Sequence, residues 1–538
     1  MSTRSILASV AALIVAVFAI VATGCGGSAS ADSTGAPAEV AKLIPASSPL
    51  YVELDTNVED LQWSRALALA KRFPAYDRLE AELTKELAEA KLDFETDIRP
   101  LLGGRAALAA GDVEVPENLE GANRTDLLDQ TGFLAVLQLA DGKEPDVLEL
   151  ITRDGDLTKR GERDGVDYYA DDDDTFGAVA NGFLAIADSE ENLFAALDRI
   201  GGSGAALSDV DKFQDALGGL PEGAIARMYV DIGRLATESL ASVGQADQLG
   251  FGIQDLENAA IGAVLLTEDD GVRLKGSVVG ADSDLAAAAV EFTPSLPDQL
   301  PADAVAYAGF ADLAGQIAAL IDQLESAGGE DVGAQLSQAA GQLDALLGVS
   351  VDDLRALASG EHAAVVTADG GNVGVVAVLE VEDGTRASAT LDGLRQALPG
   401  LAGLAGGGTG VPQFRPAPLA NGIAGWELPV NDDFSLVYGV DGNKVLLGSS
   451  PGAVRGVQSP TPSLAAKPGF VTDTTGIPDK VTSLVWVDVQ GVLKLVEALG
   501  DLDADARADL VQIEPLKSVV AWSTGGSEPS FEVFARIE

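Results

Sequence analysis

The sequence predicts an α+β protein built as two tandem homologous halves, each a largely antiparallel sheet with helices packed on one face. Three observations predict it. Short apolar or alternating runs recur between turn residues, and stretches with helical spacing lie between them. Landmarks of the first half then return in the same order about 256 residues later.

The N-terminus comes first. Arg4 and the amino group form a short positive region, Ile6 to Val21 is almost wholly apolar, and Ala22-Thr23-Gly24-Cys25 follows. A positive start, a short apolar core and small residues before a break predict an export signal. Residues 1–25 are expected to be a lipoprotein signal peptide, with Cys25, the only cysteine of the chain, as the lipidated residue. The junction resembles the lipobox of bacterial lipoproteins, departing from it at Ala22, where Leu is commoner. The apolar run is short for a membrane span of about 20 residues. Residues 26–40 are small and polar, the composition of a flexible tether. With Cys25 lipidated no disulfide can form, so the exported fold stands on packing alone.

Within the first half, residues 41–281, six runs predict strands: Leu50 to Leu54, Arg105 to Ala110, Phe133 to Leu139, Phe183 to Ala187, Ile225 to Val230 and Ala259 to Leu266. Leu61 to Lys91 predicts helix with a break at Pro74, and Leu79, Leu83 and Leu87 mark its buried face. Gln316 to Leu347 predicts helix in the second half, residues 298–538. Residues 282–297, with Pro294 and Pro297, are expected to link the halves. Asn181-Gly182 and Asp441-Gly442 each separate two apolar runs, a signal for a tight hairpin.

The halves are matched by landmarks. Pro45 and Pro301 open PASSPLYVELD and PADAVAYAGFAD, 256 residues apart, and Asp97 of DIRPLLGG and Asp353 of DLRALASG keep that spacing. Tyr229-Val230-Asp231 matches Trp486-Val487-Asp488 at 257. Asp97 and Asp353 are expected to N-cap short helices, and Gly104 and Gly360 to end them in the left-handed conformation. On this spacing His362, the only histidine, matches Ala106, the second residue of a strand. A methyl group does where the imidazole sits, so His362 is expected to be incidental, and His362→Ala to leave stability nearly unchanged.

Composition narrows the function. A chain of 538 residues exceeds one ordinary core. With 84 acidic residues against 34 basic ones, the net charge of -50 repels nucleic-acid phosphates, and no Lys/Arg cluster interrupts it. Nucleic acid is therefore excluded as a partner. One histidine and one cysteine exclude the usual zinc sites and Cys–His or Ser–His–Asp catalysis. Asp171 to Asp174 and its counterpart Asn431-Asp432-Asp433 offer oxygens of the kind calcium takes, but acidic turns need no cation. Asp501-Leu502-Asp503-Ala504-Asp505 starts like a calcium loop and fails at Ala506 and Gln512. The glycine-rich stretch 400–410 lacks the ending of a phosphate loop. Trp486, aligned with Tyr229, and Trp522, aligned with Leu265, are expected in the core. No catalytic residue, cofactor site or metal ligand is assigned.

PASSPLYVELD, the AKRFP at 70 to 74 and LDFETDIRPLLGGRAALA at 92 to 109 resemble the uncharacterised bacterial family known as domain of unknown function 3352, common among exported actinobacterial proteins. The resemblance is best in the first half, and the second lacks AKRFP. It brings no activity, substrate or catalytic residue. What is expected is an extracytoplasmic, lipid-anchored protein on the outer face of the cell membrane. It would act without catalysis as a binding or scaffold protein, with an envelope protein or small ligand as partner. The alternatives are a hydrolase using carboxylates or a Ser–Lys pair, and a purely structural envelope lipoprotein.

Overall fold

The computed structural model describes residues 39–113, 131–153, 157–172, 174–243, 258–280, 290–315, 318, 341, 348–369, 372–404, 413–430, 435–458, 462–500, 502–526 and 528–538. The fold is α+β with antiparallel sheet. Two compact units divide these residues: 39–280 together with 534–538, and 290–533.

In the first unit the strands are β1 (Leu50–Asp55), β2 (Leu102–Val113), β3 (Thr131–Leu139), β4 (Thr158–Arg163), β5 (Val166–Ala170), β6 (Phe176–Ala180), β7 (Phe183–Ala187), β8 (Ala226–Asp231), β9 (Ala260–Thr267) and β10 (Gly271–Val279). They pair antiparallel in the order β4-β5-β6-β7-β3-β2-β1-β8-β9-β10. The second unit has β11 (Ala304–Ala311), β12 (Glu361–Asp369), β13 (Asn372–Glu380), β14 (Arg415–Pro418), β15 (Ala424–Pro429), β16 (Ser435–Asp441), β17 (Lys444–Gly448), β18 (Ser483–Asp488), β19 (Leu516–Thr524) and, as far as Val533, β20 (Ser530–Ile537). Their order is β14-β15-β16-β17-β13-β12-β11-β18-β19-β20.

The registers run in step. Tyr51 faces Ala109 on β2 and Tyr229 on β8, while Tyr307 faces Val365 on β12 and Trp486 on β18. Phe213 packs edge-on to both Tyr51 and Tyr229, as Phe470 does to Tyr307 and Trp486. Trp486 and Trp522 are both buried as expected, but the alignment of Trp522 with Leu265 fails, since Trp522 lies opposite Leu484 whereas Leu265 lies opposite Ala226. By register Trp522 matches Val264, on the opposite face from Leu265, because a shift of one residue turns a strand over.

Helices on one face alone were expected, and the structure corrects this: both sheet faces are covered. One face of the first unit packs Ala107, Val136 and Ala185 against helices Glu190–Ile200 and Asp211–Gly218. The other packs Ala106, Ala135 and Ile186 against helices Tyr76–Glu89 and Glu144–Thr152. The reason lies in β2, β3 and β7, whose consecutive residues are apolar, so that neither face can be left to water. In the second unit, helix Gly384–Leu404 lies against Val445 and Tyr438.

Several local expectations shift. Helix Leu61–Ala70 ends before Pro74 and Tyr76–Glu89 starts after it. Of the three leucines meant to be buried, Leu87 is, Leu83 is half-buried, and Leu79 is 45% exposed because the helix meets the core only at its C-terminal end. Asp97 and Asp353 are not the N-caps. Asp93 and Ser350 are, and each aspartate closes the turn from inside, Asp97 on the Asp93 N–H and Asp353 on the Ser350 N–H and hydroxyl. Gly104 lies within β2 and not at a helix end. Gly360 is needed for close approach, since a Cβ there would stand 2.3 Å from the Glu380 carbonyl oxygen. Glu39 and Val40, read as tether, begin a short 3-10 helix with Val40 buried. Leu296 and Pro297, read as linker, are likewise buried, and the Glu361 carboxylate accepts hydrogen bonds from the backbone N–H groups of Ser295 and Leu296. Residues 1–38, with Cys25, and the stretch Gln316–Leu347 apart from residues 318 and 341 lie outside the described residues.

Candidate functional site

Strand alternation brings Tyr51, Glu53 and Asp55 of β1 to one sheet face, beside Arg105 of β2 and Arg227 of β8. Glu53 is only 2% exposed. The Tyr51 hydroxyl donates to Glu53 Oε2 at 2.6 Å, and Arg105 Nη1 stands 3.2 Å from Glu53 Oε1. Arg105 Nη2 reaches Asp55 Oδ2 at 3.9 Å. Arg227 is the direct cross-strand partner of Glu53, yet its Nε is buried without a hydrogen bond. Burial, more than the nearby Glu53 charge, holds the Tyr51 phenol well above its ordinary value. Burial also raises the Asp55 carboxyl, against the opposing pull of the Asn57 N–H and of Arg105. Four charged side chains thus meet across three strands around a buried carboxylate.

The second unit builds the same positions differently. Gly309, Glu361 and Leu484 occupy the register places of Glu53, Arg105 and Arg227. Gly309 leaves room for the Tyr307 hydroxyl, which would stand 2.1 Å from a Cβ there. That hydroxyl is buried without a hydrogen-bond partner, and burial followed by the Glu361 charge raises its pKa.

A second pair of sites is shared. Lys212 binds both oxygens of Asp231 at 2.9 and 3.0 Å, and Asp231 also accepts from the Arg234 N–H. Lys467 binds Asp488 at 2.8 Å and the Ala304 carbonyl at 2.8 Å, and Asp488 accepts from the Gly491 N–H. Each aspartate caps the helix that follows its strand, so this pair serves the scaffold. The repeated Tyr-Val-Asp and Trp-Val-Asp pointed to these aspartates. Nothing local pointed to the lysines, whose partners are distant.

The residues singled out from sequence do not converge. His362 is fully buried in β12 between Phe310 and Leu379, neither ring nitrogen has a hydrogen-bond partner, and its ring meets that of Phe310 edge-on at 5.5 Å. Its burial argues against the expectation that a methyl group would serve in its place. Asp171 turns inward and accepts from the Thr175 N–H at 2.8 Å, closing the turn between β5 and β6. Asp173 and residues 431–434 lie outside the described residues. Asp503 N-caps helix Ala504–Gln512. Residues 400–404 end a helix, and 405–410 lie outside the described residues. Among the described residues no three His, Cys, Asp or Glu side chains converge as metal ligands, and no helix is long and apolar enough to cross a membrane.

A family model described as "Protein of unknown function (DUF3352)" matches residues 6–501. No curated protein matches the chain in sequence. Among solved structures, crystal form I of TP0453 is similar at a TM-score of 0.26 and 10% identity, over 45% of this chain and 79% of that one. Crystal form IV of TP0453 gives 0.25 and 10%, over 44% and 79%. Scores of this size carry no argument about fold or function.

Proposed function

The chain belongs to the DUF3352 family of unknown function, and from that premise we propose an exported, lipid-anchored protein of the cell envelope that acts by binding and not by catalysis. The carrying observation is the apolar run Ile6 to Val21 ending in Ala-Thr-Gly-Cys at the only cysteine. The two lysine–aspartate pairs support the non-catalytic part, because those ammonium and carboxylate groups are committed to capping and cross-linking elements. A Ser–Lys or paired-carboxylate hydrolase would need such groups free to move protons.

The test has two arms. Cys25→Ser is expected to abolish lipid labelling and release the protein from the membrane fraction. Labelling that persists in the variant refutes the anchor. For binding, the full chain in detergent is screened by thermal shift against sugars, peptides, lipids and divalent ions. At least one class is expected to raise the midpoint, and a flat response to all overturns the binding reading.

A further inference from the structure

The first unit carries charge where its scaffold does not require it. The second unit completes the same strand order and register with Gly309 and Leu484 at the places of Glu53 and Arg227. Burying ions costs free energy that only good pairing offsets, and an apolar replacement is often as stable. A buried carboxylate flanked by two guanidiniums therefore points to use. Arg105 is accounted for, being within ion-pair distance of Glu53 and Asp55. Arg227 is not. It is half-buried, its Nε is shielded from water, and among the described residues no hydrogen bond or ion pair reaches it. Both carboxylates of the cluster are drawn to Arg105, on the far side of β1, so neither makes an ion pair with Arg227, although Glu53 stands opposite it.

We propose that Arg227 binds a small oxyanion: a carboxylate or phosphate group. This names the ligand class for the binding function above and rests on that reading. A guanidinium offers two parallel N–H groups that match the paired oxygens of such an anion, and partial burial strengthens the pairing. Glu53 is fixed by the Tyr51 hydroxyl and by Arg105, so its oxygens do not occupy the N–H groups of Arg227. The net charge of -50 does not forbid the site, since screening confines distant charges to about 8 Å at physiological ionic strength.

The experiment uses the full chain in detergent, with its arginines labelled for NMR at Nε. Sodium phosphate, sodium acetate and sodium chloride are titrated at equal ionic strength. One Nε–H resonance, assigned to Arg227 by its loss in Arg227→Gln, is expected to move saturably with phosphate or acetate and not with chloride. By calorimetric titration with phosphate, Arg227→Gln is expected to lose at least about tenfold in affinity, and Arg227→Lys to fall between, because lysine cannot pair bidentately. No oxyanion-specific shift in the unaltered chain overturns the proposal, whatever the variants do. Equal affinity in Arg227→Gln overturns it as well. If neither anion acts at Arg227 while the thermal-shift screen still finds a ligand, the oxyanion site falls and the binding reading stands.

Discussion

His362 shows what a residue-scale reading can miss. Its strand place was legible from the match to Ala106, but that match also suggested that a methyl group would serve. The imidazole instead fills volume between Phe310 and Leu379, with two polar atoms lacking hydrogen bonds. Truncation should open a cavity, so His362→Ala is expected to cost about 2–4 kcal/mol in urea unfolding. His362→Leu restores the volume and removes the unsatisfied nitrogens, so it should lie within about 1.5 kcal/mol of the parent. Indistinguishable midpoints for all three proteins would show that the site is not packed as described. Asp55 gives a pH-dependent counterpart. Its carboxyl is raised by burial, so ionisation opposes folding, and this residue's contribution to stability is lost as pH rises through its folded pKa. Asp55→Asn keeps an oxygen for the Asn57 N–H and cannot ionise. It is expected to gain stability over the parent near about pH 7, and that gain should shrink toward about pH 4. A gain that grows on acidification would contradict the sign.

At the scale of elements, strand positions were legible and layering was not. Phe183 to Ala187 is the observed β7, because Asn181 and Gly182 mark its start with a turn that needs positive φ. The break at Pro74 was legible for a similar local reason. That β2 and β3 are buried on both faces depends on which helices return to them, and no window of sequence contains that. Arg227 was hidden in the same way. In Ala226–Asp231 it is one polar residue of an alternating strand, and only its distant neighbours β1 and β2 give it meaning. Sheet edges show a further choice. β14 ends its row with Pro416 and Pro418, so two of its four residues have no N–H to offer another strand. β4, at the matching place, uses a bulge near Lys159 and a run of charges. Replacing Pro416 and Pro418 together with Thr is expected to leave the far-ultraviolet circular dichroism unchanged and to raise thioflavin-positive aggregation several-fold. Unaltered aggregation would mean that the prolines do not guard this edge.

At the scale of the molecule, the strand order of the first unit recurs in the second, with Tyr51 and Tyr307 256 residues apart and Tyr229 and Trp486 257 apart in matching register places, and the duplication read from the sequence stays a proposal. Cross-links that gave the two units different strand orders would overturn that proposal. Their common topology also has a kinetic side. β1 takes one neighbour from β2 and the other from β8, so Leu50 pairs with Val230 only after nearly the whole first unit exists. β11 waits in the same way for β18. A sheet whose middle strand is completed by a late one has high contact order, and such sheets form in milliseconds to seconds, not microseconds. During synthesis each half therefore spends an interval as an open chain with its central strand unmatched. Export as an unfolded thread would require an interval of that kind.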